Sequence, residues 1–582
     1  MTDPVPGSDD KTVTIARVAS DGATPVTDQR RPKARHLRRS PVLGGTLIFF
    51  AVCLGFLIHS PTLIGPDEPF HFDRVIAAAH GDLAVVPGAL HRSEGARNAE
   101  GTFAKTQMKR NSPSWAEFPA TPRDQRPSLA ELGGDERPSR DATNYLTQHP
   151  PLYYGLTGAL MWLLPNGDGI PADQLVFWLR AFNLLLLLPL PWLFHRSAQV
   201  LLIDRGSVGM TALCAVNAAP FAPALLPGLP RLGSTINIDN LGVLIGAALL
   251  YLCLRILRGD IGLRTAVVIG VLAVVGSLTK ITVLAVVAAV PIAYLVRWVI
   301  DRRLPAPKVI AVLAVGAVAS SLWWIRNQVL FGAVVPSELA WGSRYRLVTG
   351  TPRPPDKPFH PSEFWSAMRI QVPSRFWGSL GLHEPPKLPT LLLLIMSAVL
   401  LAALVTCVVV IKGRRLGLLV PWLLGFAMML AVLANAYFHF RSYTALTGVQ
   451  GRYAYPAALG LLLPIPIAIA IWLGRARRWA AAVVAGCGLL ICCWALYLSA
   501  EYTWLHRGEH LTFSNIGRAF DVFSGHFAFP TAFAVVAILV ALLAAIAGLA
   551  IAVTLAVDTS DAGAGNDAPI SRQSEVDRVR AT

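Results

Sequence analysis

The sequence predicts an all-α protein threaded many times through a membrane. Three observations carry that prediction. Hydrophobic residues make up 54% of the 582-residue chain and charged residues only 15%, where a soluble globular chain holds about a quarter charged. Mean hydropathy is +0.50. Apolar runs of roughly the 20 residues needed to cross a bilayer recur along the chain. The net charge of +16 is spread over short basic clusters between those runs, the pattern of cytoplasmic loops and not of a nucleic-acid-binding face.

The first 29 residues are polar and rich in Pro, Gly, Ser and Thr, a composition that does not build a core. The basic stretch at 30–39 then abuts the first apolar run and anchors it on the inner side. No small-residue cleavage site follows that run, so it stays as a helix. The predicted layout is a basic cytoplasmic tail at 1–41, a polytopic domain at 42–556 and a polar cytoplasmic tail at 557–582.

About twelve spans are predicted, at 42–60, 175–194, 207–227, 237–256, 264–279, 281–299, 308–325, 388–411, 416–434, 457–474, 478–499 and 530–556. Placing the basic linkers at 196–205, 255–264, 297–308, 412–415 and 475–478 inside gives one consistent topology, with both termini cytoplasmic in a bacterial plasma membrane. Residues 151–164 are short for a span and suit an interfacial or re-entrant helix. Polar segments at about 61–150, 326–387, 435–456 and 500–529 then face out. The seven cysteines all lie in apolar runs, so neither a structural disulfide nor a zinc site is expected. The sequence carries no Gly-rich P-loop and no G-x-G-x-x-G leading into a helix. The outer face is therefore the chemical face, and a donor carried on a polyprenyl phosphate suits it better than a soluble sugar nucleotide.

The densest candidate is Gly65-Pro-Asp-Glu-Pro-Phe-His-Phe-Asp-Arg74, just past the first apolar run. Ionisable clusters at a membrane edge are costly and mark function. Pro69 suits a first helical turn, and Phe72, Val75, Ile76, Ala79 and Leu83 share a helical face. Asp67 and Glu68 thus stand at the start of an amphipathic helix lying on the outer leaflet, with His71 and Asp73 beside them. Repulsion between the two acids is expected to raise the pKa of one toward the range of a general base. The same pair can instead hold a divalent cation such as Mg or Mn, or simply favour the helix N-terminus.

Further motifs fall on the outer side. Gln148-His-Pro-Pro-Leu-Tyr-Tyr154 opens the short apolar segment, and His149 can donate to a phosphate or rest at the interface. In Gly233-Ser-Thr-Ile-Asn-Ile-Asp-Asn240, Asn237 and Asp239 can bond sugar hydroxyls, and Asp239 can equally cap a helix. Lys280 ends Ser277-Leu-Thr-Lys280 either as a snorkelling residue or as a phosphate ligand. In Gln450-Gly-Arg-Tyr-Ala-Tyr-Pro456, Arg452 offers a fork to phosphate and Tyr453 a stacking surface. An aromatic-belt anchor is the plainer use of the same residues. Arg326, Arg344, Arg346 and Arg375 add cations to the loop at 326–387, beside Trp341, Trp365 and Trp377.

The order of these motifs resembles the GT-C glycosyltransferases, and most closely a bacterial polytopic membrane family of unknown function with a Pro66-Asp-Glu-Pro-x-His-Phe72 motif and Gln450-Gly-Arg-Tyr453. The resemblance spans roughly residues 42–500. It implies an inverting glycosyltransferase that moves a hexose or pentose from a polyprenyl-phosphate donor to an envelope glycan or lipid acceptor. It implies Asp67 as the general base and Glu68 as support or metal contact. Arg452 and Lys280 are carried over as candidate phosphate ligands. The rival class is a transporter or lipid flippase. Such proteins often show duplicated halves, and no duplication is visible here.

Overall fold

In the computed structural model the described residues are 40–104, 114–139, 142–203, 209–342, 351–354, 356–378, 380, 387–411, 415–444, 446 and 448–564. Arg344 and Arg346, the linker residues 412–414 and most of both predicted tails lie outside them. The regular structure among them is helical, and β pairing is confined to isolated bridges. Among the described residues ten helices are long and apolar enough to cross a membrane, and two shorter apolar helices, Met210–Leu225 and Leu263–Ser277, stand where two further spans are predicted.

Each boundary has a local cause. Pro41 opens the first span, Pro41–His59, at a position where its missing N–H is harmless, and Ser60-Pro61 ends it. Leu152–Leu163 is a helix of 12 residues, about 18 Å long. That is too short for a hydrocarbon layer of about 30 Å. It lies against the helix Glu68–Ala79, with Gly158 close to the Ala79 amide.

The core is built on Asp239–Leu257 and Gly451–Trp472, the two most buried spans. Their backbones nearly touch: a Cβ on Gly246 would lie 2.2 Å from the Pro456 carbonyl oxygen. Outer spans such as Pro307–Phe331 and Thr531–Val557 keep large aliphatic side chains on the outside. In a lipid solvent that apolar surface needs no further cover.

Three predicted boundaries are corrected. The helix Pro307–Phe331 carries Arg326 in its last turns, so this residue is not in a loop. Arg415–Ser442 continues through residues assigned to the outer loop at 435–456. The last helix runs on to Ala564, into the predicted tail.

The helix Glu68–Ala79 departs most from expectation. Its sides are all buried, where an amphipathic surface helix was predicted. Leu83, expected on its apolar face, lies beyond its end and is exposed. Residues from the described parts of the segment after it, among them Ser93, Arg137 and Asn144, pack over the helix and meet its acid. Asp73 accepts hydrogen bonds from the Ser93 amide (2.8 Å) and hydroxyl (2.8 Å), from Asn144 (2.7 Å) and from Arg137 (3.1 Å). Asp73 thus ties the segment after the helix back onto it, with both carboxylate oxygens engaged by protein donors.

Glu68 is the other corrected role. It is fully buried and both carboxylate oxygens are engaged. Arg180 Nε and Nη2 donate to Oε1 and Oε2 at 2.7 and 2.6 Å. The Ile236 and Gly65 amides donate at 2.9 and 2.7 Å. Arg180 also donates to the Ser60 and Pro61 carbonyls, both at 2.8 Å. One ion pair therefore ties the connection at 60–68 to the span Ala172–Leu202 and to the turn before Asp239–Leu257. No oxygen of Glu68 is left for a metal or a proton relay.

Two predictions follow from this architecture. Glu68→Gln leaves Arg180 buried beside a neutral group, and breaking a buried pair costs about 3–5 kcal/mol. The detergent-purified variant should melt well below the wild type, and an unchanged melt would refute the lock. The basic-linker rule puts residues 61–150 outside. With all cysteines removed, Gln125→Cys, an exposed position, should react with an impermeant thiol reagent on intact cells. Protection until lysis would overturn that orientation.

Candidate functional site

Asp67 precedes the helix in a left-handed conformation, φ 57° and ψ 12°. Aspartate is among the few residues that visit this region, and strain of this kind clusters at functional sites. Its side chain caps no helix amide, so the plain capping role does not apply. The Asp67 carboxylate instead meets two partners from distant segments. Tyr145 donates its hydroxyl to Oδ1 at 2.7 Å, and Arg452 Nη2 pairs with Oδ2. Tyr145 is itself stacked on Trp341, with centroids 4.1 Å apart and planes at 18°, and against Phe70 at 4.4 Å.

The neighbouring acids are therefore sorted, not paired. Glu68 takes Arg180 and Asp67 takes Arg452. The expected rise in pKa by mutual repulsion is overturned for Asp67. Burial alone would raise it, but the Arg452 guanidinium and the Tyr145 hydrogen bond outweigh burial and hold the carboxyl well below the usual range. Burial raises the Tyr145 phenol well above its ordinary value, with Asp67 adding to the effect.

A second acid–cation pair lies beside the first. Asn237 Oδ1 accepts the Asp239 amide at 2.9 Å and so takes the capping role. The Asp239 side chain is freed to meet Lys280 Nζ at 2.5 Å. Arg452 Nε lies 3.5 Å from Asp239 Oδ2, too far for a good hydrogen bond. Tyr453 sits under both cations, 4.8 Å from Lys280 Nζ and 5.8 Å from the Arg452 Cζ. The result is a chain of alternating charges, Asp67–Arg452–Asp239–Lys280, held over one aromatic ring. Within it Arg452 Nε, Arg452 Nη1 and Asp239 Oδ2 are buried with no hydrogen-bond partner among the described residues. Buried orphan donors are costly.

Arg452 is placed by its own backbone neighbours. A Cβ on Gly451 would fall 2.2 Å from the Arg375 carbonyl oxygen, so only glycine lets this segment lie against the helix Pro361–Trp377. Arg375 Nη1 donates to the Val449 carbonyl at 2.6 Å and holds the approach.

The histidines frame the cluster. His71 Nδ1 shares a hydrogen bond of 3.0 Å with Tyr154, and burial pushes its imidazole down to about 3. Burial, with Lys280 and His71 next, also holds His149 well below its usual value. Both imidazoles are neutral near pH 7. The motif around His149 is largely scaffold: Tyr153 donates to Asn183 at 2.8 Å, and the Leu152 amide bonds the Leu278 carbonyl beside the Lys280 turn.

Of the predicted residues, Asp67, Asp239, Lys280, Arg452 and Tyr453 converge, with His71 and His149 at the margin. Asn237 positions the connection, donating to the Pro66 carbonyl at 2.9 Å. Arg326 is not brought to the cluster; it stacks on Trp323 and Phe331 and bonds Asn327. The Asp67–Glu68 pair does not fit a metal, because Glu68 is saturated. Among the described residues no group of three or more His, Cys, Asp or Glu could hold one. Tyr145 and Arg180 were not foreseen. Arg180 could have been, since a lone cation inside a predicted span calls for a buried acid. Tyr145 carries no such signal.

Known structures offer partial likenesses. ArnT from Cupriavidus metallidurans bound to undecaprenyl phosphate is 15% identical, with a TM-score of 0.43 over 88% of this chain and 74% of that one. The same protein in the apo state gives 14% identity and a TM-score of 0.41 over 88% and 76%. The Archaeoglobus fulgidus oligosaccharyltransferase, in complex with Zn and sulfate, is 12% identical with a TM-score of 0.34 over 84% of this chain and 57% of that one. None reaches a TM-score of 0.5. No curated protein matches the chain. Residues 49–461, more than two thirds of the sequence, match one family throughout. This all-α multi-pass membrane protein belongs to that family, described as "Predicted membrane protein (DUF2142)".

Proposed function

We propose that the protein is a membrane glycosyltransferase. It moves a sugar from a polyprenyl-phosphate donor to a hydroxyl of a cell-envelope glycan or lipid, on the outer face of a bacterial plasma membrane, with both termini inside. The observation that carries this reading is the buried pair Arg452 and Lys280, with orphan guanidinium N–H groups, beside a carboxylate that caps no helix. Orphan donors on a buried cation suit an anionic ligand with several acceptor oxygens. A phosphate meets that need and water meets it poorly. The motif order shared with GT-C glycosyltransferases supports the same class.

The chemistry needs a base, a leaving-group stabiliser and a fixed geometry between them. Asp67 Oδ2 takes the proton of the acceptor hydroxyl. The acceptor oxygen bonds to the anomeric carbon from the face opposite the phosphate, and configuration inverts. The old carbon–oxygen bond breaks with its electron pair on the phosphate oxygen, where Arg452 and Lys280 offset the growing charge. Tyr145 keeps Asp67 in place through Oδ1. Tyr453 and the Tyr145–Trp341 stack offer aromatic faces to the sugar. Glu68 stays out of the chemistry and supports the loop.

A strain lacking the protein should accumulate a polyprenyl-phosphate-linked sugar, and wild-type protein should clear it. Asp67→Asn keeps the shape and the Tyr145 hydrogen bond but removes the base. Turnover should fall by about 10²-fold or more, the usual scale for a positioned acid or base. Clearance at the wild-type rate by Asp67→Asn would overturn the assignment.

A further inference from the structure

Arg452 has one nitrogen that both its present partner and a phosphate require. A guanidinium grips an oxyanion bidentately along one of two edges, Nη1–Nη2 or Nη2–Nε. Nε and Nη1, the two orphan donors, do not share an edge. Every bidentate grip therefore uses Nη2, which gives one of its two N–H groups to Asp67 Oδ2, so an anion gripping either edge shares that nitrogen with a like-charged carboxylate. Building on the glycosyltransferase reading, we propose that the donor phosphate displaces Asp67 from Arg452, so that donor binding itself releases the base.

The surroundings suit such an exchange. Gly451 packs its backbone directly on the Arg375 carbonyl, so the exchange is a movement of the Arg452 side chain and not of its helix. Asp67 keeps a second anchor, Tyr145, whose ring is held between Phe70 and Trp341. Asp67 Oδ2 is then bared without the carboxylate losing its place. Lys280 is already matched by Asp239, which leaves Arg452 as the cation that changes partner. Before the donor arrives, each carboxylate oxygen of Asp67 is engaged by one protein donor, Oδ1 by Tyr145 and Oδ2 by Arg452. After proton transfer Asp67 is neutral and no longer competes, while the departing phosphate carries the extra charge and holds Arg452.

The exchange makes Asp67 a competitor of the ligand, which gives a result opposite to ordinary site mutagenesis. Farnesyl phosphate is the probe, titrated by calorimetry into full-length protein in detergent near pH 7.5. Asp67→Asn should bind it about tenfold tighter than wild type, and Arg452→Ala about tenfold weaker. The double variant Asp67→Asn/Arg452→Ala should bind as weakly as Arg452→Ala, because the competition exists only through that guanidinium. A melt of each variant, with Asp67→Ala as a second replacement, separates binding from folding. Equal or weaker binding by a folded Asp67→Asn overturns the exchange, and so does a double variant that keeps the gain. Tighter binding together with full sugar transfer keeps the exchange and removes the base assignment. Lost transfer with unchanged affinity keeps the base and removes the exchange. No binding by any variant overturns both.

Discussion

The buried ion pair between Glu68 and Arg180 is the interaction on which the candidate site rests. Two charges placed inside a membrane protein are expensive to desolvate, and in this pair each nitrogen and oxygen of the two charged groups makes at least one hydrogen bond. The Gly65 and Ile236 amides and the Ser60 and Pro61 carbonyls complete it. These partners come from the end of the first span, the connection after it, a distant span and the turn before Asp239. One pair thereby fixes four segments to one another, and the residue next to it in sequence inherits that precision. Asp67 is set in space because Glu68 cannot move.

The two adjacent acids show how the chain divides structure from chemistry. In a regular helix start, both would serve the same group of amides. The left-handed turn at Asp67 breaks that equivalence. It sends Glu68 down to Arg180 and leaves Asp67 facing Tyr145 and Arg452. The electrostatic outcome differs from simple repulsion. Arg452 lowers the proton affinity of Asp67 and holds the carboxylate ionised. The side chain keeps 36% of its surface exposed, so the pairing tempers its basicity without burying it.

The spans were legible because length and apolarity together make a strong signal. Each of the twelve predicted segments overlaps one of the ten long helices or one of the two shorter ones. Their outer ends were less legible. Aromatic residues such as Tyr437, Phe438 and Phe440 extend the helix Arg415–Ser442 past its predicted end, and they read equally well as an interfacial loop. Asp67, Asp239, Lys280, Arg452 and Tyr453 were singled out because glycine, charge and aromatic residues coincide at the edges of apolar runs. Their partners were harder to see. Tyr145 lies 78 positions from Asp67 in a loop with no periodic pattern, and only the fold of that loop over the helix Glu68–Ala79 brings it near. The burial of that helix was missed for the same reason: Asp73, which reads as part of its wet face, is satisfied by Ser93, Arg137 and Asn144, and Arg74 by the Asp82 and Leu83 carbonyls.

The alternating row Asp67–Arg452–Asp239–Lys280 explains why this part of the chain tolerates buried charge at all. Two acids and two bases sum to neutrality, so the resting cluster can stay out of water without a counter-ion. Neutrality is not saturation, however. Asp239 Oδ2 and two nitrogens of Arg452 lack hydrogen bonds among the described residues, and the Arg452–Asp239 approach stops at 3.5 Å. A cluster optimised only for stability would close that gap, since a half-satisfied polar network is worse than an apolar core. The gap is balanced in charge and open in hydrogen bonding. An added anion would meet the open donors of Arg452 first, and under the proposed exchange it then rearranges the pairs already present. That openness sets the row apart from Glu68–Arg180, a salt bridge a single residue away with no orphan atom among the described residues.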